Sequence, residues 1–189
     1  MVSQIKVNEI IKQSGSSITI GESGDTITLP STATLSNFPS NTPYFQATLS
    51  SEQTLSDNVN TKAAFNSELL DSAGAYDPST YRFTVPSGQA GRYYISASII
   101  FQTSGSYGVI FPRLEIHKNG VNQMYGYGPY NEQGNDQVGV FAAMLMDLSA
   151  SDYLEIYVRN NNDQGTPSIP ASTGSPDNKC IFQGYKLIG

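Results

Sequence analysis

The sequence predicts an all-β protein, a sandwich or jelly roll behind a thin polar leader. Three observations carry this. From Tyr44 onward, runs rich in Val, Ile, Tyr, Phe and Thr recur at roughly ten- to fifteen-residue intervals, separated by Gly, Pro, Asn and Asp clusters. No segment holds a helical period of apolar residues over a useful length. The chain of 189 residues is 38% hydrophobic with 12 Tyr and 8 Phe, enough to build a large core despite only 14% charged residues. Nine or ten antiparallel strands in residues 44–189 is the size of such a domain.

In chain order, residues 1–13 place Ile5, Val7, Ile10 and Ile11 among polar groups. Their spacing fits a short strand through Val7 or one helical turn at Glu9 to Ile11, and both remain open. Residues 14–43 are rich in Ser, Thr, Gly and Pro, and no Lys or Arg occurs between Lys12 and Lys62. Within them ITIG at 18–21 is echoed by ITLP at 27–30, with Gly21 to Asp25 as the turn, which predicts one hairpin. A lone two-stranded hairpin is marginal in water, so this stalk expects another copy of itself as partner. Further strands are expected near 44–49, 62–69, 81–85, 92–102, 109–118, 121–127, 137–148, 152–160 and 179–188. Gly105, Gly120, Pro129, Gly134, Gly165, Pro167 and Pro170 punctuate the connections, and 160–177 reads as a long polar loop.

Two of these strands lack the alternation of a sheet with one wet face. Val138, Val140, Ala142, Met144 and Met146 share one side, and Phe141, Ala143 and Leu145 form a second apolar side. In RYYISASIIF, Tyr93, Ile95, Ala97, Ile99 and Phe101 lie opposite small Ser96 and Ser98 and then Ile100. With no helix to cover the second face, another subunit is the expected cover, and the chain is expected to be an obligate homo-oligomer. The alternative is a central strand buried beneath a long loop.

The order of motifs resembles the globular head of complement and its relatives in the tumour necrosis factor superfamily. The residues that carry it are Phe45-Gln46-Ala47, Gly74-Ala75-Tyr76-Asp77, Phe83-Thr84-Val85-Pro86, Gly91-Arg92-Tyr93-Tyr94-Ile95, LEIHKNG at 114–120, LSASDYLEI at 148–156 and IFQGYKL at 181–187. Tyr81 and Ser151 stand where that family has Gly, and Ser87 to Ala90 are extra residues. The resemblance implies a ten-stranded jelly-roll sandwich forming a homotrimer, with Phe141 and Phe182 near the threefold axis and Ser98 beside them. Leu145 joins this set of interface candidates through the apolar side it shares with Phe141. The phrase VNEIIKQSGSSITIGESGDTITLPSTATL resembles leader segments of marine bacteriophage fibre proteins. It implies an N-terminal virion anchor at 1–13 (Ile5, Val7, Ile10, Ile11), a β-hairpin stalk at 14–43 and a head at 44–189.

Charge and chemistry narrow the function. Ten Lys and Arg against 16 Asp and Glu, a net charge of -6, do not suit a phosphate backbone, so no nucleic-acid partner is expected. No apolar run reaches the roughly 18 residues of a membrane span, and no signal-peptide pattern opens the chain. The protein is therefore expected to be made in a host cytoplasm and to reside in the virion. None of the G-x-S-x-G, H-E-x-x-H, Walker A or Rossmann patterns occurs, and no enzyme or cofactor is expected. His117 shares a strand face with Arg113 and Glu115 and reads as a solvated or trimer-facing histidine. Asp71, Asp77, Glu132, Asp136, Asp147, Asp152 and Asp163 are scattered over turns, where Asp bonds locally to backbone. Gly134-Asn135-Asp136 and Asn160 to Asp163 hold oxygen donors that calcium accepts, without the spacing of a calcium loop; no metal is assigned. Cys180 reads as a small buried hydrophobe.

The stretch 122–137 sets Tyr125, Tyr127 and Tyr130 among Asn131, Gln133 and Asn135 with no cation. Flat apolar rings beside paired amide donors and acceptors suit a neutral host-surface saccharide. An ordinary loop or a Tyr-rich subunit interface fits the same residues. Together these point to a trimeric fibre whose N-terminus docks on another virion protein and whose head adheres to a receptor. A capsid decoration or head fibre that stabilises the particle without a receptor is the alternative.

Overall fold

A computed structural model describes residues 10, 20, 21, 23–28, 32, 41–104, 109–129, 137–161, 165–172 and 180–188. The chain divides into two compact units, Met1–Phe38 and Pro39–Gly189. In the first unit Ile10, Ile20 and Ile27 are exposed, and a turn lies at 23–24 where the hairpin bend is expected. Ile5, Val7 and Ile11 of the expected anchor, and residues 18, 19, 29 and 30 of the expected hairpin, lie outside the described residues.

The second unit contains the strands β1 (Tyr44–Thr48), β2 (Gln53–Thr54), β3 (Thr61–Lys62), β4 (Ser67–Asp71), β5 (Tyr76–Asp77), β6 (Arg82–Thr84) and β7 (Gly91–Ser104). Then come β8 (Arg113–Lys118), β9 (Val121–Tyr127), β10 (Gln137–Leu148), β11 (Tyr153–Arg159), β12 (Thr166–Ile169) and β13 (Ile181–Lys186). Ten of the thirteen are longer than two residues. All pairings are antiparallel and fall into two sheets. In the first, the 14-residue β7 is central. β10 lines one side of it from Gly91 to Gln102, and β13 and then β12 line the other, with β1 and β4 beyond β13. The second runs β5–β6–β11–β8–β9, with β3 also paired to β11.

Period-two alternation decides which residues meet between the sheets. Tyr93, Ile95, Ala97, Ile99 and Phe101 of β7 and Val138, Val140, Ala142 and Met146 of β10 are buried there. They face Leu114 and Ile116 of β8 and Leu154, Ile156 and Val158 of β11, which are also buried. At one end Phe45 stacks on Phe83 at 4.3 Å and meets Phe182 edge-on at 4.8 Å. The edge strands β9 and β10 close the sandwich. A Cβ on Gly126 would stand 2.7 Å from the carbonyl oxygen of Phe141, so only glycine permits that approach.

Several sequence expectations are corrected. The single strand expected over 62–69 is two strands in different sheets, because tight turns from Phe65 N–H to Ala63 O and Asn66 N–H to Ala64 O carry the chain across. The strand expected from 109 begins at Arg113, directly after Pro112, which has no N–H for a ladder. Inside the expected 160–177 loop lies β12, whose Pro167 still accepts a bond from Leu55 N–H through its carbonyl. Proline hid that strand from composition.

The register also fixes the two ends of the sandwich. Tyr44, Tyr185, Tyr94, Leu145, Lys118 and Tyr153 mark the end where the chain enters the head. Gln102, Gln137, Arg113, Arg159 and Tyr127 mark the far end.

Candidate functional site

The outer face of the first sheet is built by the residues that alternate with the core. Phe141 is 61% exposed and Leu145 57% exposed on β10. Phe141 stands opposite Ser98 and Leu145 opposite Tyr94, and β13 adds Ile181, Gln183 and Tyr185. Tyr94 and Tyr185 lie ring to ring at 5.4 Å. Polar groups on this face bond among themselves, since Gln46 Nε2 donates to Gln183 Oε1 (2.8 Å) and Gln183 Nε2 to Ser96 Oγ (3.3 Å). The face is therefore apolar rings and satisfied amides with no charge at its centre. Tyr44, Phe45, Gln46, Leu70, Gln183, Gly184 and Tyr185 line a shallow groove of about 180 Å³ in it.

Phe141, Leu145 and Ser98 thus share one surface, as interface candidates should. Phe182 does not. It is fully buried against Phe45, Phe65 and Tyr76, because Ile181, Gln183 and Tyr185 take the outward positions of β13 and leave Phe182 the inward one. Phe182 is a core residue, and the expectation that it lines the subunit contact is corrected.

The second sheet carries a different outer face. Glu115 and Glu155 are buried at 2% and 3% exposure, although both point away from the apolar core. Glu155 Oε1 accepts from Lys62 Nζ at 2.6 Å and from Arg82 Nε and Nη2 at 2.9 and 2.8 Å. Arg82 lies 3.8 Å over the Tyr153 ring. Glu115 Oε1 meets Arg113 Nη2 as a close ion pair at 2.5 Å, and Oε2 meets His117 Nε2 at 2.7 Å. His117 stacks on Tyr157 at 4.3 Å, so it is a covered, partnered strand residue and not a solvated one. Burial raises both carboxyl pKa values, but the hydrogen bonds and charges of these partners outweigh it and hold both below the ordinary glutamate value. Of the acids expected in turns, Asp147 instead lies in β10 and pairs with Arg92, and Glu132, Asp136 and Asp163 lie outside the described residues. Asp71, Asp77 and Asp152 accept from nearby backbone N–H groups.

Tyr125 and Tyr127 lie on β9, not in a loop. Both are exposed on the same outer face, 5.5 Å apart, with Phe111 5.7 Å from Tyr127 and Arg113 over Tyr125 at 4.8 Å. The other receptor candidates, Tyr130, Asn131, Gln133 and Asn135, lie outside the described residues. So do Gly134 and Asp136 and residues 162–163 of the oxygen-rich segments, while the Asn160 side chain is fully buried. Among the described residues no group of three His, Cys, Asp or Glu could hold a metal ion, and no helix is long and apolar enough to cross a membrane.

No protein-family model and no curated protein sequence matches the chain. Solved structures do. The globular domain of the zebrafish complement 1qA protein superposes with a TM-score of 0.53 at 16% identity, covering 77% of this chain and 98% of that one. The Eiger TNF of S. frugiperda superposes with a TM-score of 0.51 at 14% identity, covering 77% and 91%. The head has their jelly-roll fold. The two positions where the sequence resemblance expects glycine keep the conformation glycine favours. Tyr81 and Ser151 have φ of 56° and 70°, so the backbone keeps the left-handed turn that glycine favours and a side chain bears the strain.

Beyond the notice of sequence reasoning were Glu115 and Glu155 as buried ion-pair centres, and Asn58, Phe111 and Arg159. Those three join Arg113 and Asn161 around a cleft of about 290 Å³ at the far end of the sandwich. Their spread over three stretches of chain left no signal in any one motif.

Proposed function

We propose that the chain is a structural virion protein, a homotrimeric fibre whose leader docks on another particle protein and whose head adheres to a host-surface saccharide. The observation that carries the assembly is the uncharged centre of the first sheet's outer face, where Phe141 and Leu145 stand exposed beside Tyr94 and Tyr185. Contiguous apolar surface of this kind marks an interaction site. A threefold ring needs two different surfaces that complement each other. The ridge of Val121, Tyr125 and Tyr127 on the adjoining edge strand β9 supplies the second, and the groove between Tyr44, Leu70 and Tyr185 is its natural seat. This favours the subunit-contact reading of Tyr125 and Tyr127 and leaves the far end of the head for the receptor. Three such ends on one rigid head convert weak contacts into avidity.

Mass in solution tests the assembly. Light scattering on the whole protein should give three times the 20.4 kDa chain mass. Phe141→Asp and Leu145→Asp should each shift it to the single-chain mass with the β-sheet circular dichroism retained. A stable wild-type monomer, or a trimer indifferent to both changes, refutes this reading.

A further inference from the structure

The far-end cleft brings together two of the protein's 10 Lys and Arg in a chain of net charge -6. Its cations differ in how far they are neutralised. Arg113 is held between Glu115 and Asn60, 2.9 Å from Asn60 Oδ1, and Glu115 divides its charge between Arg113 and His117. Arg159 meets no carboxylate among the described residues. Its Nε (2.8 Å) and Nη2 both donate to the neutral Oδ1 of Asn58, which fixes the guanidinium plane and leaves its charge uncompensated. Asn58 is itself anchored, since its N–H donates to the Asn160 carbonyl at 2.7 Å. Among the described residues the cleft is also lined by Asn161 and by Phe111, 39% exposed.

We propose that this cleft binds the carboxylate of an acidic sugar at the tip of a host saccharide. A guanidinium fixed in plane, with no acid against it among the described residues, recognises carboxylate by paired hydrogen bonds from the Nη edge that Asn58 leaves open. Phe111 offers an apolar wall to the C–H face of a sugar ring, and the Asn161 amide supplies a donor and an acceptor, and Asn58 Nδ2 a donor, for its hydroxyls. At about 290 Å³ the space is at the small end of ligand clefts and suits one ring, not an oligosaccharide. The place is appropriate too, because Arg113 and Arg159 cap the ends of β8 and β11 remote from Tyr44, where the chain enters the head. The proposal rests on the adhesive reading and alters its chemistry. Charge at the point of contact is positive, although the surrounding protein is acidic and the sequence suggested a neutral ligand.

Titration of the whole protein, followed by NMR or calorimetry, tests it. Methyl glucuronide and N-acetylneuraminic acid should bind, methyl glucoside should bind at least about tenfold more weakly, and added salt should weaken the acidic ligands. Arg159→Gln should lower acidic-sugar affinity about tenfold or more, and Asn161→Ala should lower it less, with circular dichroism and solution mass unchanged. Arg92→Gln, remote from the cleft, should leave it unchanged. Equal binding of the glucoside and the glucuronide, or affinity that survives both Arg159→Gln and Asn161→Ala, overturns the proposal. So does inorganic phosphate or an acidic peptide binding as tightly as the glucuronide, since the cleft would then be a general anion site. A monomeric protein that still binds the glucuronide refutes the trimer and leaves the cleft standing.

Discussion

At the scale of single residues, the backbone holds Tyr81 and Ser151, among others, in the left-handed region. Ser151 closes the turn between β10 and β11 at φ 70°, accepting strain because its N–H donates to Val85 O and the next residue's carboxylate caps Ser149. A non-glycine residue in the left-handed region costs on the order of 1 kcal/mol, part of which glycine gives back through its freer unfolded chain. Ser151→Gly should therefore raise unfolding stability by about 0.5–1 kcal/mol, read as a shift in denaturant midpoint with unchanged slope. A loss of stability would mean that the hydroxyl contributes more than the strain costs. The same scale shows what a sequence withholds. Phe141 and Phe182 look alike as aromatic residues in apolar strands, yet one is exposed and the other fully buried. A shift of one residue exchanges every inward and outward position, and nothing within IFQGYKL states where its count begins.

At the scale of elements, strands with a strong period were legible and the network on the second sheet was not. The two-sided apolarity of 138–146 is reproduced by β10, with Val138, Val140, Ala142 and Met146 inward and Phe141 and Leu145 outward. Glu115 and Glu155 alternate with core residues in the same way, so they read as wet positions. Glu155 is covered by Lys62 and Arg82, which arrive from β3 and β6, and Glu115 by Arg113 and His117 of its own strand and by Asn122 of β9. The arrangement has a pH signature. Both carboxyls have folded pKa values below the ordinary 4.5, so their contribution is present above about pH 4.5 and is lost as pH falls through the folded values. Glu155→Gln cannot titrate there. It should cost roughly 1–2 kcal/mol at pH 7, discounted because Lys62 and Arg82 are partly exposed and regain water. It should also lose less stability than the wild type between pH 5 and pH 3. Thermal melts across that range check it, and parallel acid limbs for both proteins would exclude Glu155 as a source of acid sensitivity.

At the scale of the whole molecule, the faces of the head divide the tasks among them. One sheet turns outward a face with an uncharged apolar centre and an Arg92–Asp147 pair at its margin, the other turns outward an ionic network, and the cleft sits at the end remote from Tyr44. The rings of Phe141, Tyr125 and Tyr127 and the side chain of Leu145 gain free energy by being covered, whereas Glu115 and Glu155 already stand in ion pairs. If a second and third copy supply that cover, folding and assembly are one equilibrium, and stability depends on concentration. For three chains released together, a 100-fold dilution removes about 1.8 kcal/mol per chain, which for a chain of this length is a fall of roughly 4–7 °C in Tm. The wild type should show that fall between micromolar and hundredfold lower concentrations. Leu145→Asp should melt at a lower temperature that dilution does not move. A wild-type Tm independent of concentration would mean that the exposed rings of Phe141 and Leu145 contribute nothing to the fold, and their cover would have to be sought in a different partner.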